Sequence, residues 1–177
     1  MEYFPLFAEV RGRRVVVVGG GEVASRKIAL LKRAGAAIRV VAPALDHHVS
    51  DWLQQGALTH IAREFETSDL DEAWLVVAAT NDSRVNQQVS EAAEARRIWC
   101  NVVDAPEQCS FITPAIVDRS PLMIAISSAG AAPVLARMWR ERLERQLHPR
   151  LGDLALLARR WRGRVKRALG SLSARRR

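Results

Sequence analysis

Residues 13–43 read RRVVVVGGGEVASRKIALLKRAGAAIRVVAP, and their pattern predicts the first elements of the fold. Residues 15–18 are a β-branched run of the kind found in a strand buried on both faces. Apolar residues then recur at helical spacing, and Gly35 follows as a helix stop. Residues 38–41 form a second apolar run, which Pro43 closes. The stretch therefore predicts a strand, a glycine turn, a helix and a second strand.

The same alternation continues down the chain. VSDWLQQG predicts a short helix capped by Ser50 or Asp51, and ALTHIAREF predicts a strand of weaker pattern. WLVVAAT predicts a buried strand, SRVNQQVSEAAEARR a helix, and IWCNVVD a fifth strand that ends on Asp104. Strands that alternate with helices favour an α/β fold, a Rossmann-type doubly wound parallel sheet with right-handed crossovers.

The rhythm changes after Asp104. SFITPAIV and LMIAISS predict two strands that pair antiparallel across a turn at DRSP, and a helical pattern begins at Pro133. We expect a domain of residues 1–113, a small α+β hairpin and helix region of residues 114–147, and a basic helical region of residues 148–177. The hairpin and helices are too thin to bury both faces of their elements, which predicts pairing with a second copy of the chain.

Composition places the chain among globular proteins. It has 177 residues, of which 49% are apolar, enough for one α/β domain and a smaller appendage. No apolar run approaches the roughly 18 residues of a membrane span, so we expect no membrane insertion. The two cysteines form no C-x-x-C motif, and a reducing cytoplasmic location fits them best.

The net charge of +8 is concentrated in the C-terminal part of the chain. The excess of basic residues lies from Arg137 onward, while residues 1–136 are close to balanced. A solvated helix face explains such a pattern more simply than a polyanion partner does. Nucleic-acid binding is therefore an unfavoured alternative.

The glycine turn contains Gly19-x-Gly21-x-x-Ala24, the dinucleotide-binding fingerprint with alanine in its third position. The first glycine permits a tight turn, the second lets backbone amides approach a pyrophosphate, and Ala24 keeps helix and strand close. The helix that begins at Glu22 and Val23 then offers unpaired N–H groups to phosphates. A turn that only connects strand and helix is the alternative, but the strand–turn–helix context favours a nucleotide site.

The end of the second strand lacks the acidic residue that usually holds the adenosine ribose. Pro43 and Ala44 stand near that place, so their backbone groups are candidates for the ribose contact. No arginine replaces the acid, and the motif leaves NAD and NADP as alternatives. Thr80, Asn81 and Asp82 follow the fourth strand, where a cofactor-facing loop is expected, although Asn81 and Asp82 could equally cap the next helix.

The remaining polar residues give a less specific signal. Asp104 is either a turn residue or a functional group at the carboxyl end of a parallel strand, where open α/β sheets bind ligands. The histidines show no spacing typical of metal ligands, and we predict no protein metal site; they are His47, His48, His60 and His148.

With these features assembled, the chain resembles the precorrin-2 dehydrogenase/sirohydrochlorin ferrochelatase family, the N-terminal module of siroheme synthase. The resemblance rests on YFPLFAEVRGRRVVVVGGGEVASRK, VVAATND, NVVDAPEQCSFITPAIVDRSPL, ISSAG and PVLAR, and it spans nearly the whole chain. It implies siroheme biosynthesis: an NAD-binding Rossmann domain, a homodimerisation region, and an active site where the two meet.

The resemblance also implies a chemistry. NAD⁺ removes a hydride from precorrin-2 to give sirohydrochlorin, and Fe²⁺ then enters the macrocycle as a substrate metal to give siroheme. Both steps are expected to depend on the aspartate of the NVVD run, Asp104. Asn101 and Ser128 are expected to bind substrate. Arg119 and Arg137 are candidates to pair with the tetrapyrrole carboxylates, although each could equally be a solvated surface residue.

Two features depart from the family pattern or extend beyond it. The family usually has glycine where Ala129 stands and a hydroxyl residue where Ala132 stands, and alanine is a poor N-cap. Longer members continue into a methyltransferase domain, so this chain is either a stand-alone protein or part of a longer one. An NAD(H)-binding regulatory module without tetrapyrrole chemistry is the alternative function.

Overall fold

A computed structural model of the chain describes residues 2–168. The end of the predicted basic region, residues 169–177, lies outside the described residues. Two compact units divide between Thr113 and Pro114.

The first unit is a parallel sheet with helices on both faces. Its strands are β1 (Arg14–Val18), β2 (Ala37–Val41), β3 (Thr59–Ile61), β4 (Leu75–Ala78) and β5 (Trp99–Val102). Its helices are α1 (Glu22–Arg33), α2 (His47–Gln54) and α3 (Ser83–Ala95). The strand order is β3-β2-β1-β4-β5 and every pairing is parallel, which confirms the predicted doubly wound fold.

The core lies on both faces of this sheet, as the valine run predicted. Alternate valines of β1 point to opposite faces: Val15 packs in a cluster with Ile28 of α1, and Val16 packs with Val89 of α3. All four of these side chains are fully buried. Burying a side chain of this size contributes roughly 1.5–3 kcal/mol, so the central strand anchors the unit.

One helix begins earlier than the sequence indicated. The carboxylate of Asp46 accepts a hydrogen bond from the Val49 N–H at 2.8 Å, and α2 starts at His47. The prediction of Ser50 or Asp51 as its cap is therefore wrong. The helix start was missed because His47 and His48 are polar and interrupt the apolar pattern. The cap nevertheless needs only a side-chain oxygen at the residue before the first turn, and Asp46 supplies it.

The second unit contains a two-stranded sheet and two helices. Its elements are β6 (Ala115–Arg119), β7 (Leu122–Ile126), α4 (Pro133–Gln146) and α5 (Leu151–Ala168). β6 and β7 are antiparallel, which confirms the predicted hairpin. Arg119 pairs with Leu122, so only Ser120 and Pro121 connect the strands, and the predicted four-residue turn is too long.

No helix in residues 2–168 combines the length and the apolar character needed to cross a membrane.

Candidate functional site

The glycine turn lies at the carboxyl end of β1, where the strand order reverses. Gly19 has φ +114°, and its N–H donates to the carbonyl oxygen of Val41 at 2.9 Å. A Cβ at Gly19 would collide with the carbonyl oxygen of Ala79, the residue after β4. Glycine is required here because two strand ends converge on the turn.

The two following glycines differ in what surrounds them. A Cβ at Gly20 would collide with the carbonyl oxygen of Ala44, whereas nothing lies within 4 Å of a Cβ at Gly21. Gly21 is the N-cap of α1 and offers no side-chain cap, so the amides of the first turn keep free hydrogen-bonding capacity. The open side of the turn therefore combines free N–H groups with room for a ligand.

A cleft of about 560 Å³ opens over this turn. All of the residues predicted to contact a cofactor line it: Gly19, Gly21, Glu22, Val23, Pro43, Ala44, Thr80 and Asn81. The cleft is bounded by the ends of β1, β2 and β4, the point where doubly wound sheets bind dinucleotides.

The loop after β4 is held in place by its own side chains. The Thr80 hydroxyl donates to Asn86 Oδ1 at 3.0 Å, and Asn86 Nδ2 donates to the Thr80 carbonyl oxygen at 3.0 Å. Asp82 caps α3 by accepting from the Arg84 N–H at 2.8 Å. Asp82 thus has the capping role, and Asn81 lies exposed at the cleft.

Residues after β3 close the other side of the cleft, a contribution that the sequence did not indicate. Arg63 lines the cleft, as does Phe65, and the two terminal guanidinium nitrogens of Arg63 each donate to the Asp69 carboxylate at 2.8 Å. Burial acts to raise the pKa of Asp69. The hydrogen bonds from Arg63 and from the Glu66 N–H outweigh burial, so the net pKa is lowered. The loop is therefore clamped by a buried carboxylate.

This arrangement fits a dinucleotide. The free amides at Gly21 suit a pyrophosphate, because helix N-termini attract anions through their unpaired N–H groups. At the end of β2 the Ala42 carbonyl oxygen lies 2.9 Å from His60 Nε2. The next two residues, Pro43 and Ala44, line the cleft. Their predicted contact with the ribose stays a prediction.

Asp104 lies at the same edge of the sheet, in the turn that follows β5. It is exposed and has φ +61°, a left-handed conformation that is uncommon outside glycine. β5 is two strands from β1, about 10 Å at the usual strand spacing. A non-glycine residue held in this region is a reason to look for function.

A lysine of α1 contacts the residues around this turn. Lys27 Nζ donates to Asn101 Oδ1 and to Thr113 Oγ1, each at 3.3 Å. Burial lowers the pKa of Lys27, although electrostatic interactions with Cys109 and Asp104 act to raise it. Sequence reasoning missed Lys27, since its position in an ordinary helical repeat gives no sign of which strand end it reaches.

Asn101 is buried at the same place and has partners on several sides. Its amide nitrogen donates to the Phe111 carbonyl oxygen at 3.1 Å, while its oxygen accepts from Lys27. These bonds join β5 to α1 and to the chain that follows β5. They describe a supporting role, and the predicted contact of Asn101 with substrate stays a prediction.

The two cysteines are free thiols in this region. Burial raises the pKa of Cys100 to about 11, and burial also raises the pKa of Cys109. Cys109 Sγ lies 3.1 Å from both the N–H and the carbonyl oxygen of Val102. Neutral thiols with such contacts are structural groups and poor nucleophiles.

Within the described part of the chain, no three His, Cys, Asp or Glu side chains come together in a way that could hold a metal ion.

The other predicted substrate residues belong to the second unit. The Arg119 guanidinium donates to the Glu144 carbonyl oxygen at 3.0 Å and forms an ion pair with the Glu144 carboxylate at 3.4 Å. The Ser128 hydroxyl accepts from the Ala132 N–H at 3.0 Å, and Arg137 is exposed on α4. Arg119 therefore has a structural partner, and its substrate contact, like those of Ser128 and Arg137, stays a prediction.

Comparison with known families matches the first unit to the family described as "Putative NAD(P)-binding", over residues 6–115. The chain belongs to this NAD(P)-binding family. The family description names a nicotinamide dinucleotide, which is the class of cofactor that the glycine turn and the cleft fit. Residues 119–146 match a second family, described as "Sirohaem biosynthesis protein central".

Individual proteins extend the likeness to the whole chain. It is 55% identical over 177 residues to siroheme synthase 2 of Cronobacter sakazakii and 55% identical to siroheme synthase 1 of Yersinia enterocolitica. It spans 39% and 38% of the length of these two relatives. The solved structure of SirC, a precorrin-2 dehydrogenase, superposes with a TM-score of 0.76 at 29% identity, covering 98% of this chain and 85% of SirC. The predicted resemblance to the siroheme synthase module is confirmed.

Proposed function

We propose that the chain is a precorrin-2 dehydrogenase that uses NAD⁺ to form sirohydrochlorin in siroheme biosynthesis. The observation that carries the proposal is the likeness to a solved precorrin-2 dehydrogenase over 98% of the chain. The cleft at the glycine turn and the aspartate at the same sheet edge supply a cofactor site and a proton acceptor.

Different residues of the first unit bind different parts of the cofactor. The amides at Gly21, Glu22 and Val23 hold the pyrophosphate, and the loop at Thr80 and Asn81 borders the rest of the cofactor. NAD⁺, when bound, supplies the acceptor for one hydrogen and its electron pair. Precorrin-2 loses two hydrogens in all, so one must leave as a proton.

Asp104 is the proposed acceptor of that proton. Its carboxylate is exposed, and it stands in a turn whose left-handed backbone is fixed by the Ala105 N–H donating to the Val102 carbonyl oxygen at 3.4 Å. A positioned general base of this kind typically contributes about 100- to 10,000-fold to a rate.

We further propose that the same carboxylate assists ferrochelation, with Fe²⁺ as a substrate. Insertion of Fe²⁺ into sirohydrochlorin releases two protons from pyrrole nitrogens, and Asp104 can accept them in turn. The tetrapyrrole nitrogens hold the metal, so the reaction needs no cluster of protein ligands.

Partners follow from the same proposal. Exposed apolar side chains on α4 and α5 support a homodimer in which a second copy covers them; they include Val134, Met138, Leu157 and Trp161. A methyltransferase domain in longer relatives and a cytoplasmic location stay predictions, and the two free thiols are compatible with a reducing compartment.

The test is anaerobic incubation of the purified chain with precorrin-2 and NAD⁺, followed by absorbance for NADH and sirohydrochlorin. Equal amounts of the two products are expected. A second incubation of sirohydrochlorin with Fe²⁺ tests chelation separately, because siroheme has its own spectrum.

The rival is an NAD(H)-binding regulatory module. It would bind NAD⁺ in calorimetry yet form neither product, and that outcome would overturn the dehydrogenase. The basic α5 is compatible with a polyanion partner, but such binding would not replace the turnover test.

A further inference from the structure

Lys27 is a half-buried cation that the proposed reaction leaves without a role. It extends from α1, the helix whose start forms the cofactor cleft, but it is not among the cleft-lining residues. Its ammonium instead bonds Asn101 at the end of β5 and Thr113 beyond the loop. The two acceptors lie before and after Asp104 in the chain, so one cation joins both ends of the segment that carries the carboxylate.

Three ionisable groups act on Lys27. Cys109 and Asp104 favour its charged form, and Arg26, its neighbour on α1, disfavours it. Burial is the largest influence and lowers the pKa of Lys27. Burial also raises the pKa of Cys109, so the thiol is neutral near neutral pH, and the carboxyl group that acts on the lysine is that of Asp104.

We propose that Lys27 is a positioning residue for Asp104: its ammonium fixes residues 101–113 and presents a positive charge to the carboxylate. This inference rests on the proposed function, in which Asp104 accepts the proton. The third hydrogen of the ammonium is not used by Asn101 or Thr113 and is available to the carboxylate or to a water between them.

The first test needs no activity. The titration of Lys27 is followed by NMR of its side-chain carbon and nitrogen in the wild type and in Asp104→Asn. Loss of the facing anion is expected to lower the pKa of Lys27 further, whereas Asp51→Asn on α2 leaves it unchanged. A titration of Lys27 that does not respond to Asp104→Asn would overturn the proposal, whatever the enzyme catalyses.

The second test is kinetic and separates positioning from folding. Lys27→Met is expected to lower kcat about 10- to 100-fold, because a misplaced catalytic group costs about that much, with the KM for NAD⁺ unchanged. Lys27→Arg keeps the charge and should restore most of kcat. Its loss of activity at alkaline pH should move to higher pH, since arginine stays protonated where lysine does not.

Lys32→Met is the matched control, because it removes a charge from the same helix at a side chain that stacks on Trp52 instead. It should leave kcat unchanged. Wild-type kcat in Lys27→Met, or an alkaline limb that Lys27→Arg does not move, would refute the positioning role. A wild type without turnover would contradict the proposed function alone, and the NMR titration would still decide the electrostatic interaction between Lys27 and Asp104.

Discussion

Replacing Gly21 by alanine separates the fold of the glycine turn from its use as a phosphate site. The backbone at Gly21 has φ −85° and ψ −173°, an extended conformation that alanine adopts without strain. No atom lies within 4 Å of the added Cβ. The methyl group therefore enters only the open side of the cleft.

The effect of Gly21→Ala on stability should be small. Alanine restricts the unfolded chain and gains about 0.4–1 kcal/mol, but it is a worse N-cap than glycine by a similar amount. The two terms cancel to within about 0.5 kcal/mol, which corresponds to a change in Tm of about 2 °C or less.

The effect on cofactor binding should be large. A methyl group at the approach to the free amides removes one hydrogen bond to a charged pyrophosphate, worth about 1.5–3 kcal/mol. The Kd for NAD⁺ should rise roughly 10- to 100-fold.

Calorimetric titration of NAD⁺ and NADH, beside a thermal melt, measures both quantities. Gly163→Ala is the matched control, because Gly163 of α5 also has nothing within 4 Å of its Cβ yet lies outside the cleft. Gly20→Ala should behave in the opposite way and destabilise the fold, since its Cβ meets the Ala44 carbonyl oxygen. A folded Gly21→Ala that binds NAD⁺ within twofold of the wild type would refute the assignment of the pyrophosphate to this turn.

Two further predictions concern stability. Ala129 has φ +53°, a left-handed conformation that costs an L-residue about 1–2 kcal/mol. Glycine adopts it without strain but loses more entropy on folding, so Ala129→Gly should raise the free energy of unfolding, measured in urea, by about 0.5–1 kcal/mol. A lower urea midpoint would contradict this. The lowered pKa of Asp69 means that its contribution to stability is full above its ordinary value of 3.8 and is lost as the pH falls through the folded-state value. The difference in free energy of unfolding between the wild type and Asp69→Asn should therefore shrink in acid, and a difference that stays constant from neutral pH to about pH 2 would count against the Arg63 clamp.

The strands and the glycine turn of the first unit could be predicted where the local sequence pattern agrees with what tertiary packing requires. The valines of β1 are buried on both faces, and the turn that follows requires glycine because the end of β4 approaches it. A run of valines followed by glycines therefore indicates both the buried strand and the tight turn. In the second unit, the glycine that the family resemblance predicts in place of Ala129 fits the positive φ at that position.

The errors occur where distant contacts decide. SFITPAIV was read as one strand, but β6 begins only at Ala115, because the N–H of Ser110 donates to the Cys100 carbonyl oxygen at 2.9 Å and holds the earlier residues against β5. Pro114 then interrupts donation at the start of β6. The local sequence pattern does not indicate a hydrogen bond, such as that from Ser110 to Cys100, between residues ten positions apart.

The unpredicted site residues share the same cause. Arg63 follows the short strand β3, whose pattern is weak, and reaches the cleft only because β3 lies beside β2 in the sheet. Lys27 looks like any polar position of an amphipathic helix until Asn101 and Thr113 are placed next to it. Sequence spacing identifies residues near the glycine motif, whereas residues brought in by the strand order need the fold.

The most direct test of the central claim is the rate of NADH formation from precorrin-2 by Asp104→Asn. Asparagine tolerates the left-handed backbone at this position, so the fold and NAD⁺ binding should be unchanged. We expect a kcat at least about 100-fold below that of the wild type, since a neutral amide cannot accept the proton. A kcat within twofold of the wild type would contradict the assignment of Asp104 as the general base.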